Sequence, residues 1–357
     1  MKNFITVQGQ NIGEDYPTYF IADIAANHDG DLQRAKDLIA LAAEAGADAV
    51  KFQHFKAEKI VSDFGFQELK KQQSHQSSWD KSVYEVYEDA SVPRDWTLEL
   101  QETCNDFGIH FFSSPYDFEA VDLLDEAGVP AHKVGSGDIT WTAMLERISK
   151  SNKPIFIATG ASDINDVKLA MSILQKSEQP LCLMQCNTNY TGTIENLKHI
   201  HLNVLKTYSK IWPDIVLGLS DHTPGHSTVL GAVALGARAI EKHFTDDKTR
   251  SGPDHVFSMS PSEWHEMVNR TRELEAALGS SNKFVAENES ETVVLQRRCL
   301  RATKNLTAGS ILQKTDLEAL RPATVGAVMP YEADKIYGRI LKKDIQYGEH
   351  LTFSAFE

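Results

Sequence analysis

The chain has few cysteines, no long uncharged apolar run and no surplus of positive charge. Its 357 residues include four cysteines, which show neither metal-finger spacing nor a dense disulfide framework. No segment reaches the length of a membrane span without charges, and the first ten residues lack an apolar run behind a basic cluster. The net charge of −14 disfavours general binding of nucleic acid or anionic membranes. We therefore expect a cytoplasmic protein with reduced thiols that binds neither nucleic acid nor membrane.

The composition predicts one large globular domain followed by a small one. A chain of this length exceeds the usual size of a single core. Residues 279–291 are rich in Ser, Asn and Glu without periodicity, which indicates a linker. We expect domains at 1–278 and 297–357, with the linker at 279–296. The second domain has ten Lys and Arg against seven Asp and Glu, which suits either a lid over an anionic substrate or an ordinary solvated face.

Eight short apolar runs alternate with segments that have helical periodicity. The runs are 19–23, 49–53, 110–115, 132–136, 154–159, 181–186, 215–220 and 239–243, and helical segments include 32–45, 118–127 and 164–175. Alternating strands and helices predict a parallel sheet, and eight such units over about 250 residues fit an α/β fold of the closed (β/α)8 TIM barrel type. A doubly wound open sheet is the alternative, but no Gly-x-Gly-x-x-Gly follows the first run.

Two histidines end neighbouring strands of this expected barrel, where such barrels place their chemistry. His222 and His243 each follow an apolar run, and the two-residue period places Ser220 and Glu241 on the same inward faces. Two imidazoles at neighbouring strand ends can hold one divalent metal ion. The alternative is a pair of core histidines that are hydrogen-bonded to the backbone.

Other predicted strand ends also carry polar residues that a purely structural barrel does not need. These residues are Asp23, Lys51, Gln53, Lys133, Ser136 and Asp138. A buried lysine is costly unless it meets an anion, so Lys51 and Lys133 together with serines predict a phosphate or carboxylate site. The alternative for each lysine is a core salt bridge with Asp23 or Glu241.

Several motifs, taken in their order and spacing, resemble the sialic acid (nonulosonic acid) synthase family. They are Ile21-Ala22-Asp23-Ile24-Ala25-Ala26-Asn27-His28, Ala49-Val50-Lys51-Phe52-Gln53, Lys133-Val134-Gly135-Ser136-Gly137, Gly218-Leu219-Ser220-Asp221-His222-Thr223, Glu241-Lys242-His243-Phe244-Thr245 and Ser251-Gly252-Pro253-Asp254-His255. Residues 297–357 resemble the family's C-terminal antifreeze-like (SAF) domain through Arg297-Arg298, Leu320-Arg321-Pro322 and the turns at Gly309 and Gly348. The resemblance covers nearly the whole chain.

This resemblance implies a metal-dependent condensation of phosphoenolpyruvate with an N-acylated hexosamine aldehyde, such as N-acetylmannosamine. The products are a nine-carbon 2-keto acid and phosphate. A divalent ion, Mn²⁺ or Mg²⁺, on His222 and His243 would act as a Lewis acid on the aldehyde oxygen. The phosphate would be held by Lys51, Lys133, Ser136 and Ser220.

The resemblance also assigns the remaining roles. The residues implied as catalytic are Asp23, Asp138, which helps to handle the water, and Glu241, which orients His243 or the metal waters. The residues implied in binding the acceptor sugar are Gln53, Thr188, Tyr190, Asp254 and Arg321, the last reaching the N-acyl group. In the family the SAF domain covers the barrel of the partner subunit, so a domain-swapped homodimer is implied.

The chain departs from the family pattern at positions that bear on the acceptor. The family commonly has glutamate where Asp23 and Asp138 stand, residues 185–192 replace a usual Cys-Thr-Asn or Cys-Thr-Ser pattern, and several relatives have an asparagine near Ser78. Relatives that make legionaminate, pseudaminate or spore-coat sugars use other acceptors. Two alternatives stay open. An aldol synthase acting on a phosphorylated pentose would need a second basic cluster, and a non-catalytic sugar-binding protein would tolerate loss of the histidines or lysines.

Overall fold

The computed structural model describes residues 4–69, 76, 79 and 81–357. The chain forms two compact units, of which the first ends at Gly279 and the second begins at Ser280. In the described part of the first unit, an N-terminal hairpin precedes eight barrel strands. The hairpin strands are β1 (Phe4–Val7) and β2 (Gln10–Gly13); the barrel strands are β3 (Tyr19–Asp23), β4 (Ala49–His54), β5 (His110–Pro115), β6 (His132–Val134), β7 (Ile155–Ala158), β8 (Leu181–Cys186), β9 (Val216–Asp221) and β10 (Ala237–His243).

The eight parallel strands close into a barrel in which consecutive strands are neighbours and β10 pairs with β3. The helices of this unit are α1 (Leu32–Glu44), α2 (Ala57–Ile60), α3 (Asp63–Glu68), α4 (Val83–Ala90), α5 (Thr97–Asp106), α6 (Phe118–Glu126), α7 (Thr142–Ile148), α8 (Ile164–Leu174), α9 (Val204–Ile211), α10 (Ser227–Ala234) and α11 (Pro261–Leu278). The predicted (β/α)8 barrel is therefore confirmed, and the open doubly wound sheet is excluded. None of the described helices is long and apolar enough to cross a membrane.

Strand alternation places the polar residues inside the barrel. On β3, Tyr19 and Ile21 belong to the inner core, whereas Phe20 and Ala22 belong to the layer between strands and helices. The same two-residue period continues inward to Asp23. Because Asp23 pairs in register with Lys51 on β4 and with His243 on β10, three polar side chains meet where the chain closes the barrel.

The N-terminal hairpin packs against the amino ends of the barrel strands. Ile5, Val7 and Ile12 are buried in one cluster with residues of the barrel interior such as Tyr19 and Val216. The carboxyl ends of the strands are therefore the ones left for a site.

The second unit has its own core and a two-stranded antiparallel sheet, β11 (Cys299–Ala302) with β12 (Leu317–Leu320). It begins within the stretch expected as a linker, because α12 (Ser290–Gln296) is part of it. The carbonyl of Val294 accepts from the amide of Ala323 at 2.9 Å. All four cysteines of the chain are buried free thiols.

Candidate active site

A cavity of about 370 Å³ opens at the carboxyl ends of the barrel strands and collects most of the residues singled out from the sequence. Those on its wall are Asp23, Lys51, Gln53, Lys133, Ser136, Asp138, Tyr190, Ser220, His222, Glu241, His243 and Asp254. They come from most of the barrel strands or the segments that follow them. A cavity at this end of a (β/α)8 barrel is the usual place for an active site.

Two lysines and two carboxylates form the floor of the cavity. The Nζ of Lys51 lies 2.7 Å from Oδ2 of Asp23, and the Nζ of Lys133 lies 3.0 Å from Oε1 of Glu241. The second pair is joined by Ser220, whose hydroxyl donates to the same Oε1 at 3.2 Å. The four charged side chains are almost fully buried. The salt bridges that the sequence left as an alternative are therefore formed, and they lie on the cavity wall.

The electrostatics of this floor suit an anionic ligand. Burial alone would raise the pKa of Glu241, but Lys133 and Lys51 outweigh it and lower the pKa to about 2. For Asp23, burial prevails over Lys51 and raises the pKa, so its carboxylate is the weaker counter-charge. Although burial opposes the charge on Lys51, Asp23 and Glu241 raise the pKa of its ammonium. The lysines thus lower the pKa of one of the two carboxyl groups that they face, whereas burial raises the pKa of the other.

His222 and His243 lie side by side above this floor, with ring centroids 5.3 Å apart. Nδ1 of His222 lies 2.9 Å from the carbonyl oxygen of Asn187, and a carbonyl only accepts, so Nδ1 carries the proton and Nε2 keeps a lone pair. Nε2 of His243 lies 3.4 Å from Oδ2 of Asp23, and its buried Nδ1 has no hydrogen-bond partner among the described residues. Each ring therefore has one nitrogen available to a ligand.

Both histidines are held neutral. Burial lowers the pKa of His222 to about 3 with help from His243, and burial together with Lys51 lowers the pKa of His243 to about 3. Neutral imidazole is the form that binds metal ions. Among the described residues no group of three or more His, Cys, Asp or Glu side chains is arranged to hold a metal. The two imidazoles fit two ligands of a divalent ion.

The outward-facing neighbours of the histidines form a third buried ion pair. Lys242 pairs with Asp221 and also donates to the carbonyl of Thr223 at 2.6 Å. The pair lies on the opposite side of β9 and β10 from the cavity. It ties together the two strand ends that present His222 and His243.

The upper wall of the cavity is formed by aromatic rings and two further carboxylates. The ring of Tyr190 lies 4.4 Å from that of His222. Oδ2 of Asp254 accepts from the amide of Ala26 at 3.2 Å, and burial and then Asp23 raise the pKa of Asp254 to about 7 despite this bond. Burial likewise raises the pKa of Asp138 to about 6, and its buried Oδ2 has no hydrogen-bond partner among the described residues. Both carboxyl groups are suited to exchange protons near neutral pH.

Several residues of this wall were not singled out from the sequence, and Tyr116 is one of them. Tyr116 follows β5 directly, and the strand end was the signal that could have found it. Its hydroxyl leaves no room for a side chain at Gly135, where an added Cβ would lie 2.9 Å from Oη. Gly160 likewise has no room for a side chain, because an added Cβ would lie 2.4 Å from Cγ2 of Thr188. The amide of Gly160 donates to Oγ of Ser136 at 2.9 Å.

Three positions raised by the sequence are not on this wall. Thr188 does not line the cavity, and its methyl group lies against Gly160. Arg321 belongs to the second unit, where its Nε donates to the carbonyl of Gln296 at 2.6 Å. Ser78 lies outside the described residues.

Comparisons with known proteins identify the family of the chain. The NeuB family matches residues 38–283, and the SAF domain matches residues 297–357. The N,N'-diacetyllegionaminic acid synthase of Legionella pneumophila is 33% identical over 350 residues, covering 97% of this chain and 96% of its own. Human N-acetylneuraminate-9-phosphate synthase is 34% identical over 335 residues, covering 94% and 90%.

A solved structure extends the likeness to three dimensions. The N-acetylneuraminic acid synthetase of Leptospira borgpetersenii, crystallised with citrate, is 29% identical and superimposes with a TM-score of 0.71, covering 82% of this chain and 96% of its own. The resemblance predicted from the sequence is confirmed over both units. This chain belongs to the NeuB family and ends in a SAF domain.

Proposed function

We propose that this protein is a nonulosonic acid synthase that condenses phosphoenolpyruvate with an N-acylated hexosamine aldehyde and releases phosphate. The observation that carries the proposal is the cavity floor, where Lys51 and Lys133 are buried beneath His222 and His243. The relatives from Legionella pneumophila and human support it, since they are synthases of sialic-type acids.

Phosphoenolpyruvate would bind on the floor of the cavity. Its phosphate and carboxylate would share the ammonium protons of Lys51 and Lys133 with Asp23 and Glu241, which hold both lysines in place. Each lysine is thereby oriented before the substrate arrives. The hydroxyls of Ser136 and Ser220 lie on the same wall and would donate further hydrogen bonds.

The residues fit a divalent cation, for which His222 would offer Nε2 and His243 would offer Nδ1. Imidazole ligands favour Mn²⁺ over Mg²⁺. When bound, the cation would supply Lewis acidity towards the aldehyde oxygen of the acceptor. Asp23 holds the orientation of His243, as carboxylates do for metal-binding histidines.

The reaction forms one C–C bond and one C–O bond to water, and it breaks the C–O bond to phosphate. C3 of phosphoenolpyruvate attacks the aldehyde carbon, whose oxygen takes up a proton, while a water oxygen adds to C2 and the bond between C2 and the phosphate oxygen breaks. The added water must lose a proton, and Asp138 would accept it because its pKa of about 6 makes it an ionised base at neutral pH. Without a polar partner for its Oδ2 among the described residues, Asp138 is free to bond to that water.

The acceptor would occupy the upper wall. Gln53, Tyr190 and Asp254 would contact its hydroxyls, with Thr188 shaping the pocket from behind Gly160. Arg321 would reach the N-acyl group from the SAF domain of a second copy in a domain-swapped homodimer.

The test is phosphate release from phosphoenolpyruvate with a panel of acceptors. The panel contains N-acetylmannosamine, its 6-phosphate and a diacetamido trideoxyhexose, each assayed with Mn²⁺, with Mg²⁺ and with a chelator. We expect phosphate release that requires both an N-acyl hexosamine and a divalent metal. Release only with a phosphorylated pentose would move the protein to the other aldol synthases, and binding of sugar without release would make it a sugar-binding barrel.

Two substitutions make this test specific to the floor. Lys133→Met removes one cation from Glu241 and should lower kcat/KM for phosphoenolpyruvate by about ten- to a hundredfold, since a hydrogen bond to a charged group is lost. The KM of the acceptor should change little. Lys150→Met removes the same charge from an exposed position and serves as the matched control. Equal behaviour of the two variants would refute the assignment of Lys133.

A further inference from the structure

We propose that Asp29 is a positioning residue, which clamps the segment after β10 to the segment after β3 and thereby holds Asp254 at the cavity. The kinetic consequence rests on the function proposed above, whereas the structural consequence does not. Asp29 is not on the wall that carries Asp254 but lines the adjoining cavity of about 630 Å³, so it acts on Asp254 through other residues.

The carboxylate of Asp29 is shared between two residues of the segment after β10. Its Oδ2 accepts from Nε of Arg250 at 2.8 Å and lies 2.7 Å from Nη2, so the guanidinium binds it through two nitrogens. Its Oδ1 lies 2.9 Å from Nε2 of His255. Arg34, on α1, adds a second arginine, with its Nε 3.2 Å from Oδ2. One side chain therefore joins the two segments through both of its oxygens.

The contact with His255 links Asp29 to the backbone that carries Asp254 on the cavity wall. His255 is completely buried, and its Nδ1 lies 2.8 Å from the hydroxyl of Thr245, so both ring nitrogens are occupied. An added Cβ at Gly252 would lie 2.7 Å from Cδ2 of His255, so the backbone closes tightly around the ring. Asp254 directly precedes His255 in the chain. Fixing the imidazole thus fixes the backbone from which the Asp254 carboxylate projects.

The backbone of the segment after β3 is strained in a way that needs such support. Ala25 and Asp29 both adopt left-handed conformations, with φ of 46° and 53°. This region is unfavourable for residues other than glycine and persists where surrounding contacts over-determine it, often at functional sites. The amide of Ala26, which donates to Asp254, lies between the two strained positions.

A second tie between the segments is independent of Asp29. Nδ2 of Asn27 donates to the carbonyl of Phe244 and to the hydroxyl of Ser258, each at 2.9 Å, and that hydroxyl donates to the carbonyl of Asp254 at 2.7 Å. This tie remains when Asp29 is changed. Loss of the clamp should therefore loosen the segment without detaching it or unfolding the barrel.

Hydrogen exchange of the full chain tests the clamp directly. Asp29→Asn removes the charge yet tolerates the left-handed backbone, and Arg250→Gln changes an exposed residue that leaves the fold untouched. The control is Asp37→Asn, which removes the same charge from an exposed position on α1, where the carboxylate accepts from Gln33. We expect about tenfold faster amide exchange over residues 246–256 in both test variants and unchanged exchange in the control. Exchange equal to that of the unmodified protein would overturn the proposal.

Kinetics then test whether the clamp acts through Asp254. Asp29→Asn should lower kcat/KM for the acceptor by about tenfold or more, because small displacements of a binding group are costly, and leave the KM of phosphoenolpyruvate within about twofold. In an Asp254→Asn background the same change should cost little more. Multiplying losses would assign Asp29 a merely structural role and overturn this step. Absence of condensation in the unmodified protein would instead refute the proposed function, with the exchange experiment still deciding the clamp.

Discussion

At the scale of single residues, the interior of this barrel holds charges that depend on one another. Lys51 is paired with Asp23, and Lys133 with Glu241, at positions almost closed to water. Buried pairs of this kind contribute little net stability, but removing one partner leaves the other charge uncompensated. The four residues therefore behave as a unit, and we propose that their arrangement serves ligand binding.

Asp138 should show opposite effects on activity and stability. Because burial raises its pKa to about 6, from a usual value of 3.8, ionising it costs the folded state free energy. That cost is fully present above about pH 6, shrinks as the pH falls towards 4 and is absent below. Asp138→Asn should thus raise the free energy of unfolding at pH 8, on the order of 1 kcal/mol, with the difference vanishing near pH 4.

The same substitution should abolish most of the turnover, and in the unmodified protein kcat should fall as the pH drops through about 6. Denaturation at several pH values checks the predicted change in stability, and a pH–rate profile checks the predicted change in activity. A variant that is equally stable at pH 8, or one that retains full activity, would contradict this account of Asp138.

At the scale of secondary-structure elements, the barrel was predictable because its strands are short apolar runs ended by polar residues. Three of the eight runs, 19–23, 110–115 and 181–186, coincide with observed strands. The other five runs differ from the observed strands by one or two residues at one end or at both ends. The run 132–136 was overextended because Ser136 begins a 3₁₀ turn that carries Asp138. Since inward direction follows from strand parity, the site residues on strands were also within reach of the sequence.

Elements without a regular pattern were not predictable. The hairpin of β1 and β2 and the short helices α2 to α4 lack a long periodic signal, and their conformation depends on what they pack against. The clamp at Asp29 was missed for a related reason. Its partners Arg250 and His255 are far away in the chain, so no local pattern reveals it.

The hairpin should matter to stability and not to catalysis. Ile12 is fully buried in the cluster at the amino ends of the barrel strands, at the opposite end from the cavity. Ile12→Ala should lower the free energy of unfolding by about 2–5 kcal/mol and leave kcat unchanged in the folded protein. All five tryptophans lie before residue 279, so their fluorescence during denaturation reports on the barrel unit. Ile194→Ala, at a position 70% exposed, is the matched control; equal losses in both would refute the role of the hairpin.

At the scale of the whole molecule, the chain joins a barrel unit to a second unit with an independent core. Each of the two is matched by its own family, which makes them separable parts of one protein. The proposed homodimer would bring the SAF domain of one copy to the barrel of the other, and this arrangement makes a prediction about mixtures.

Mixing His222→Ala protein with Arg321→Ala protein should restore activity if the domains are swapped. In a swapped heterodimer one site combines both defects and the other combines an intact barrel with an intact arginine. With free subunit exchange, about a quarter of the sites should then be functional. The measurement is phosphate release before and after exchange, with exchange verified by mass-tagged subunits. A mixture that stays as inactive as its parents despite complete exchange would exclude the swap.

The pairing of β10 with β3 also has a consequence for synthesis of the protein on the ribosome. His243 and Asp23 are register partners, yet they belong to the last and first strands of the barrel. A nascent chain that ends before β10 has two unpaired sheet edges, on β3 and β9, and lacks one histidine of the pair. Open edges template aggregation. Premature termination anywhere before residue 237 should therefore yield inactive fragments that chaperones bind or proteases degrade.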